Sequence, residues 1–362
     1  MNDFPHHPKG PWLGDILPSA IAACGQNLRA APDFGIAKST SCIVVVVDGL
    51  GWNVLNDWKA HCPTLRSFLP EATVLPTCLP STTAAALTSL TTGELPGATR
   101  MMGYSVAQGD GVMTMLKFEG CDDPAGWQPV PTFFEQLRDE VRPVVVTAPR
   151  FASSGLTLAS MRGATFMGAN SLASRFENAI RAVKEPSLVY LYWSEIDHAG
   201  HQNGVGSDRW IAELEEFDAE LGAFLRRVPR DTSVVLTADH GMVNVEERID
   251  LAAEPGLSEG VRLIAGEGRC VHVHTNLGYE ETISARWQDI LGSKAVMIEK
   301  ARFADVFGEG PGVDLLGSAV AMLTGSSVIV DSRTQTAASI AQVGVHGSFS
   351  DVEVEIPLLI LA

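Results

Sequence analysis

Four short segments hold the residue types that could do chemistry together. Asp48 follows the apolar run Ser41–Val47, and Glu195-Ile196-Asp197-His198-Ala199-Gly200-His201 follows Ser187–Trp193. Asp239-His240-Gly241 follows Ser233–Thr237, and Gly344-Val345-His346-Gly347 precedes the last apolar run, Ile356–Leu361. Four of the nine histidines fall in these segments, in company with three aspartates. Carboxylate oxygen and neutral imidazole nitrogen are donors that zinc accepts, and no segment is rich enough in cysteine to be a structural zinc site. The pattern therefore reads as a site for a pair of divalent ions. Asp197 and His201 stand four apart, so one helical turn or tight loop can aim both at one ion. Asp239 and His240 are adjacent and would face opposite ways in a regular strand, so a sharp turn must bring both to the site. A lone Asp after a strand is usually a turn or cap residue, and His198 reads equally well as a packed or exposed side chain. The four segments together carry the metal reading, because ligands of open α/β sheets collect at strand ends.

A second segment, Pro80 to Gly93, reads as a turn entering a helix: Pro80 and the cluster Ser81-Thr82-Thr83 begin it, Ala and Leu form its body, and Gly93 stops it. A hydroxyl at that N-terminus meets free amide N–H groups and the positive end of the helix, a setting that favours both an alkoxide and a phosphate oxygen. Simple capping accounts for some of these hydroxyls.

The elements that must position these groups alternate. Unbroken apolar runs at 41–47, 143–147, 187–193, 233–237 and 356–361 suit strands buried on both faces. The clearest helix spans Ser207–Arg227, where Trp210, Leu214, Phe217, Leu221 and Phe224 recur in steps of three and four. Alternation of this kind predicts an α/β domain with a mostly parallel central sheet and helices on both faces. Glycine interrupts the pattern over residues 250–325, which reads as a small inserted lobe within a single domain spanning 1–362. There His272 and His274 alternate on one strand face, a pattern that exposed residues also give, and Arg269 has no assigned role.

Taken together, these motifs resemble the alkaline phosphatase superfamily, and within it the nucleotide pyrophosphatase/phosphodiesterase branch. The resemblance rests on Asp48-Gly49, the Thr-rich helix start ending in Thr92-Gly93, the D-x-x-G-H-x-x-G segment (Asp197, Gly200, His201, Gly204), Asp239-His240-Gly241 and His346-Gly347, in the family's order. It implies one zinc held by Asp197, His201 and His346, and a second held by Asp48, Asp239 and His240. The nucleophile, itself a metal ligand, would lie ten residues before the closing glycine, at Thr83, with Thr82 as the fallback. Cys78-Leu79-Pro80-Ser81-Thr82 also resembles the sulfatase C-x-P-S-R motif, but Thr82 replaces its Arg and Cys78 lies fifteen residues before Gly93. The implied activity is hydrolysis of a small phosphodiester, nucleotide or pyrophosphate through a phospho-threonine. Ala86 stands where family members often carry Asn, which leaves a phosphomonoesterase, phosphonate hydrolase or phosphomutase as the alternative. A noncatalytic metal-binding protein is a third reading, opposed by the intact ligand set. Arg150–Ser154 and Met101–Tyr104 are candidate pocket segments.

Composition limits the partners. With 26 Lys+Arg against 43 Asp+Glu the net charge is −17, which disfavours nonspecific binding to nucleic acid or anionic membrane. No apolar run is long enough for a membrane span. Six scattered cysteines and the lack of a basic, cleanly apolar start lead to the expectation of a cytoplasmic protein.

Overall fold

The computed structural model describes residues 4–362. Its centre is a sheet of seven strands: β1 (Ser41–Val47), β2 (Thr73–Pro76), β3 (Arg142–Thr147), β4 (Thr165–Gly168), β5 (Ser187–Trp193), β6 (Thr232–Thr237) and β7 (Glu355–Ile360). They lie in the order β2-β7-β6-β1-β5-β3-β4. The five strands from β6 to β4 are mutually parallel, while β7 runs antiparallel to both β6 and β2. β1 and β5 are buried along their whole length, as their unbroken apolar sequences require. Both match their apolar runs without a shift, and β3, β6 and β7 match theirs to within one residue at each end. β2 and β4 are short and half exposed, and their sequences carry no comparable run.

The sheet is mostly parallel with helices on both faces. α1 (Thr83–Thr92) begins just after the Ser/Thr cluster and ends at Gly93, whose φ of 74° is the left-handed stop that glycine adopts without strain. α2 is Leu172–Ala182, and α3 is Glu195–Asn203, which carries Asp197 and His201. α4 runs Asp208–Leu225; the Ser207 side chain accepts the amide of Trp210 at its start. Its apolar face, Trp210, Leu214, Phe217, Leu221 and Phe224, is buried, and Phe224 stacks on Phe176 of α2 at 4.3 Å.

Between β6 and β7 the chain builds a second sheet of four antiparallel strands, in the order Val261–Glu267, Cys270–Thr275, Ala319–Leu323, Ala295–Glu299. One face packs on helix α5 (Ile283–Leu291) and has its own apolar core, which includes Val271, Val273, Trp287 and Ile329. The other face, with Cys270 and Met322, joins the main core. His272 lies on that inward side and is fully buried, and neither ring nitrogen has a partner among the described residues. The alternating pattern of His272 and His274 is therefore not that of an exposed face: the strand is covered on both sides.

Burial pushes the pKa of His272 down to about 3, with His274 beside it adding to the effect. The unfolded imidazole takes up its proton near pH 6.5, so stability from a neutral His272 is present above that pH. It is lost as pH falls toward 3. Urea titrations should show the protein losing about 2 kcal/mol through this group between pH 6.5 and 4.5, at 1.36 kcal/mol per unit. His272→Leu should flatten that acid limb; an unchanged pH slope in the variant would refute the assignment.

Candidate metal and phosphoryl-transfer site

The end of β1 is pinned before any side chain is considered. The amide of Asp48 donates to the carbonyl of Trp193 at 2.9 Å, which holds the carboxyl ends of β1 and β5 side by side. The next residue, Gly49, has a φ of 72°, and a Cβ there would lie 3.0 Å from Asp197 Oδ1 and 3.1 Å from its Cβ. Glycine is needed twice over at that position, for its backbone conformation and for the approach of Asp197. The Gly49 amide donates to Asp239 Oδ1 at 3.1 Å, and the His240 amide donates to the same oxygen at 3.0 Å. These two bonds are the sharp turn that lets Asp239 and His240 face one site.

Six sequence-derived ligands converge. His201 Nε2 lies 3.3 Å from Asp197 Oδ2, and His346 Nε2 lies 3.8 Å from Asp197 Oδ1. His240 Nε2 lies 3.4 Å from Asp48 Oδ1 and 3.5 Å from Asp239 Oδ2. Two trios have ligand atoms close enough to share an ion: Asp197, His201 and His346, and Asp48, Asp197 and His240. Asp197 thus stands between them, with Asp239 beside the second. The His240 and His346 rings stack at 3.6 Å.

Each imidazole is oriented by the backbone. The Nδ1 atoms of His201, His240 and His346 lie 2.8, 3.0 and 2.9 Å from the carbonyls of Gly344, Gly241 and Ser81. A carbonyl only accepts, so each Nδ1 is protonated and each Nε2 is the ring atom that faces the carboxylates. Asp48 Oδ1, Asp197 Oδ1 and Asp239 Oδ2 are buried with no hydrogen-bond partner among the described residues. Burial first, and then the neighbouring carboxylates, push Asp48 well above the ordinary carboxyl range. Burial also raises Asp239, and it lowers His346 well below the usual imidazole value, with His240 and His201 adding to that effect. Orphaned acceptors and lone pairs aimed at one another fit divalent cations, which would satisfy both kinds of donor at once.

Thr83 is the first residue of α1, and its Oγ1 lies 3.2 Å from His240 Nε2. Its position there leaves its amide without an intrahelical acceptor. Thr82 is the N-cap; its hydroxyl is buried and unpartnered, though not within bonding distance of the histidines. Asp48, Thr83, Asp197, His201 and His346 line a cavity of ≈ 1270 Å³ that also reaches Tyr104, Arg150 and Ser154 from the two candidate pocket segments. Met101 and Met102 are core residues instead. His198 is exposed and stays outside the cluster, 3.0 Å from the Gln202 amide nitrogen.

Sequence reasoning passed over Tyr192. Its hydroxyl donates to Asp48 Oδ2, which leaves only the other oxygen of Asp48 free for the cluster. The signal was available, since Tyr190 and Tyr192 lie on the same face of β5 that ends beside Asp48.

The family model for type I phosphodiesterase/nucleotide pyrophosphatase matches residues 42–290. Among solved structures, murine ectonucleotide pyrophosphatase/phosphodiesterase 5 superposes with a TM-score of 0.68 at 16% identity, over 88% of this chain and 87% of that one. Phosphonoacetate hydrolase from Sinorhizobium meliloti 1021, in complex with phosphonoformate, superposes with a TM-score of 0.69 at 18% identity, over 90% and 91%. At these identities the likeness is one of fold. A phosphopentomutase of Photobacterium profundum is 29% identical over 148 residues, 38% of this chain. That match spans 34% of the mutase, about a third of its length.

Asp239→Asn removes one of the three crowded carboxylates while keeping an oxygen for the two amides. Melting in excess chelator should show the variant more stable than wild type, by about 1 kcal/mol or more, because a buried unpaired charge is lost. Added zinc should raise the wild-type midpoint and move the variant much less. A variant that is less stable without metal and equally responsive to zinc would refute the electrostatic account.

Proposed function

The chain belongs to the type I phosphodiesterase/nucleotide pyrophosphatase family, a family of phosphoric ester hydrolases, and from that premise we propose that it is a zinc-dependent hydrolase of small phosphodiesters or pyrophosphates acting through Thr83. The observation that carries the reading is the 3.2 Å contact of Thr83 Oγ1 with His240 Nε2, at the rim of the orphaned carboxylates.

In this reading Asp197, His201 and His346 hold one cation, and Asp48, Asp239 and His240 hold the other. Two divalent ions bound there would offset the charge on the phosphoryl oxygens and on the entering and leaving groups. The chain's own residues do the rest. Thr83, fixed at the helix start, presents Oγ1 to the phosphorus and gives its proton to solvent water as the new O–P bond forms; the opposite P–O bond breaks, and the leaving oxygen takes a proton back from water to depart as alcohol or phosphate. The free amide at the start of α1 and the helix dipole face the phosphoryl oxygens. Water then attacks the phosphorus, the Oγ1–P bond breaks, Oγ1 regains a proton, and the phosphoryl group leaves as phosphate or a phosphate monoester with the water oxygen. Tyr192 and the Gly49 and His240 amides hold Asp48 and Asp239 in place, so only their free oxygens face the cations.

Ala86, buried inside α1 with no polar group to offer a phosphate, keeps a second reading open: a monoesterase, phosphonate hydrolase or phosphomutase on the same scaffold. Turnover of bis-p-nitrophenyl phosphate against p-nitrophenyl phosphate decides between them, and strong monoester preference would favour the second. A cytoplasmic location belongs to this proposal too, resting on six cysteines that are all free thiols.

Thr83→Ala should abolish diester turnover, by about a thousandfold or more in kcat, while metal analysis still finds two zinc ions per chain. Full activity in that variant would shift the nucleophile to Thr82 or to water.

A further inference from the structure

The lobe and the site are joined by one fully buried ion pair. Arg269 sits in the turn between Val261–Glu267 and Cys270–Thr275, and Glu353 lies in the short helix before β7; both side chains are inaccessible to solvent. The contact is bidentate, with Arg269 Nε 3.0 Å from Glu353 Oε1 and Nη2 2.7 Å from Oε2. Arg269 Nη1 donates to the Ser327 carbonyl at 2.7 Å. Glu353 Oε1 also accepts the Ser348 amide at 3.0 Å, and Oε2 accepts the Ser350 hydroxyl at 2.6 Å. Neither carboxylate oxygen is left unpartnered.

From Glu353 the bonds lead to three motif segments. Its backbone carbonyl accepts the amide of Gly241 at 2.9 Å, next to His240. The Ser348 residue that it holds accepts the Ser81 hydroxyl through its carbonyl at 2.6 Å. The Ser81 carbonyl in turn fixes His346 Nδ1, two residues before Thr83. A buried ion pair contributes little net stability over well-packed neutral residues, because desolvation of both charges offsets their attraction. Its directional, saturated bonds are what a neutral pair would not reproduce.

We propose that Arg269 and Glu353 are positioning residues, through which the lobe fixes His240, His346 and the Ser81–Thr83 turn in the geometry that binds metal. The proposal rests on the two-zinc reading above. Neither side chain touches substrate; both act through the backbone groups that aim the imidazoles.

The test compares wild type with the neutral double variant Arg269→Met/Glu353→Gln, in which Gln still accepts the Ser348 amide. Zinc affinity is read by competition with a chromophoric chelator, apo-protein melting in excess chelator, and kcat and KM on bis-p-nitrophenyl phosphate. The double variant should melt near wild type yet bind zinc about 10- to 100-fold more weakly, with kcat reduced and KM little changed. Arg269→Lys should recover part of the zinc affinity. Ile283→Val, which trims the lobe core away from the pair, should lower the melting point and leave zinc affinity alone. Wild-type zinc affinity and kcat in the double variant would overturn the proposal, as would a loss of affinity in Ile283→Val equal to that of the pair. Should the double variant fail to fold, Arg269→Lys decides: wild-type zinc affinity and kcat there overturn it equally. Wild-type protein that binds no zinc at all would instead sink the two-zinc reading itself.

Discussion

Three carboxylates converge inside this protein where water does not reach their inner oxygens, and that crowding is the constraint on which the rest depends. Left alone, Asp48, Asp197 and Asp239 repel one another in a poorly solvated space, and two of them are held above the ordinary carboxyl range as a result. A fold tolerates such an arrangement when something outside the chain neutralises it. The three imidazoles each commit Nδ1 to a backbone carbonyl, so the ring atom that faces the carboxylates is Nε2. Divalent cations would relieve that crowding, and Thr83 lies beside the cluster.

The topology follows from bringing four distant segments to that point. β1, β5 and β6 are adjacent and parallel, so their carboxyl ends deliver Asp48, Asp197 and Asp239 with His240 to one edge of the sheet. His346 arrives differently. It reaches the same edge from the lobe, and Glu355, where β7 begins, follows only nine residues later. A strand that starts at the carboxyl edge has to run back through the sheet, which is why β7 is antiparallel to β6. A net charge of −17 would be compatible with a phosphate-bearing ligand if cations were bound at the cluster, because they would set the local sign there.

Much of this was legible from residue order. Unbroken apolar runs identified the central strands because a strand covered on both faces has no polar side to interrupt it. That the four segments and Thr83 would meet at one place was legible because Asp and His recur at the ends of adjacent strands. The direction of β7 was legible in principle, given His346 and the short span after it, but the apolar run alone carries no sense of direction. β2 and β4 were not legible, since short edge strands need no continuous apolar sequence. Tyr192 and the Arg269–Glu353 pair were hidden for another reason. Their roles come from contacts across 144 and 84 residues, which no local pattern encodes.

The most direct test of the central claim is diffraction from zinc-soaked crystals at energies on either side of the zinc edge. The account predicts two anomalous peaks about 4 Å apart, as two-metal sites show. One should lie against His201 and His346 Nε2, the other against His240 Nε2 and Asp48, with Asp197 between them. No peak at the cluster, or a single ion elsewhere while the carboxylates stay unpartnered, would contradict it.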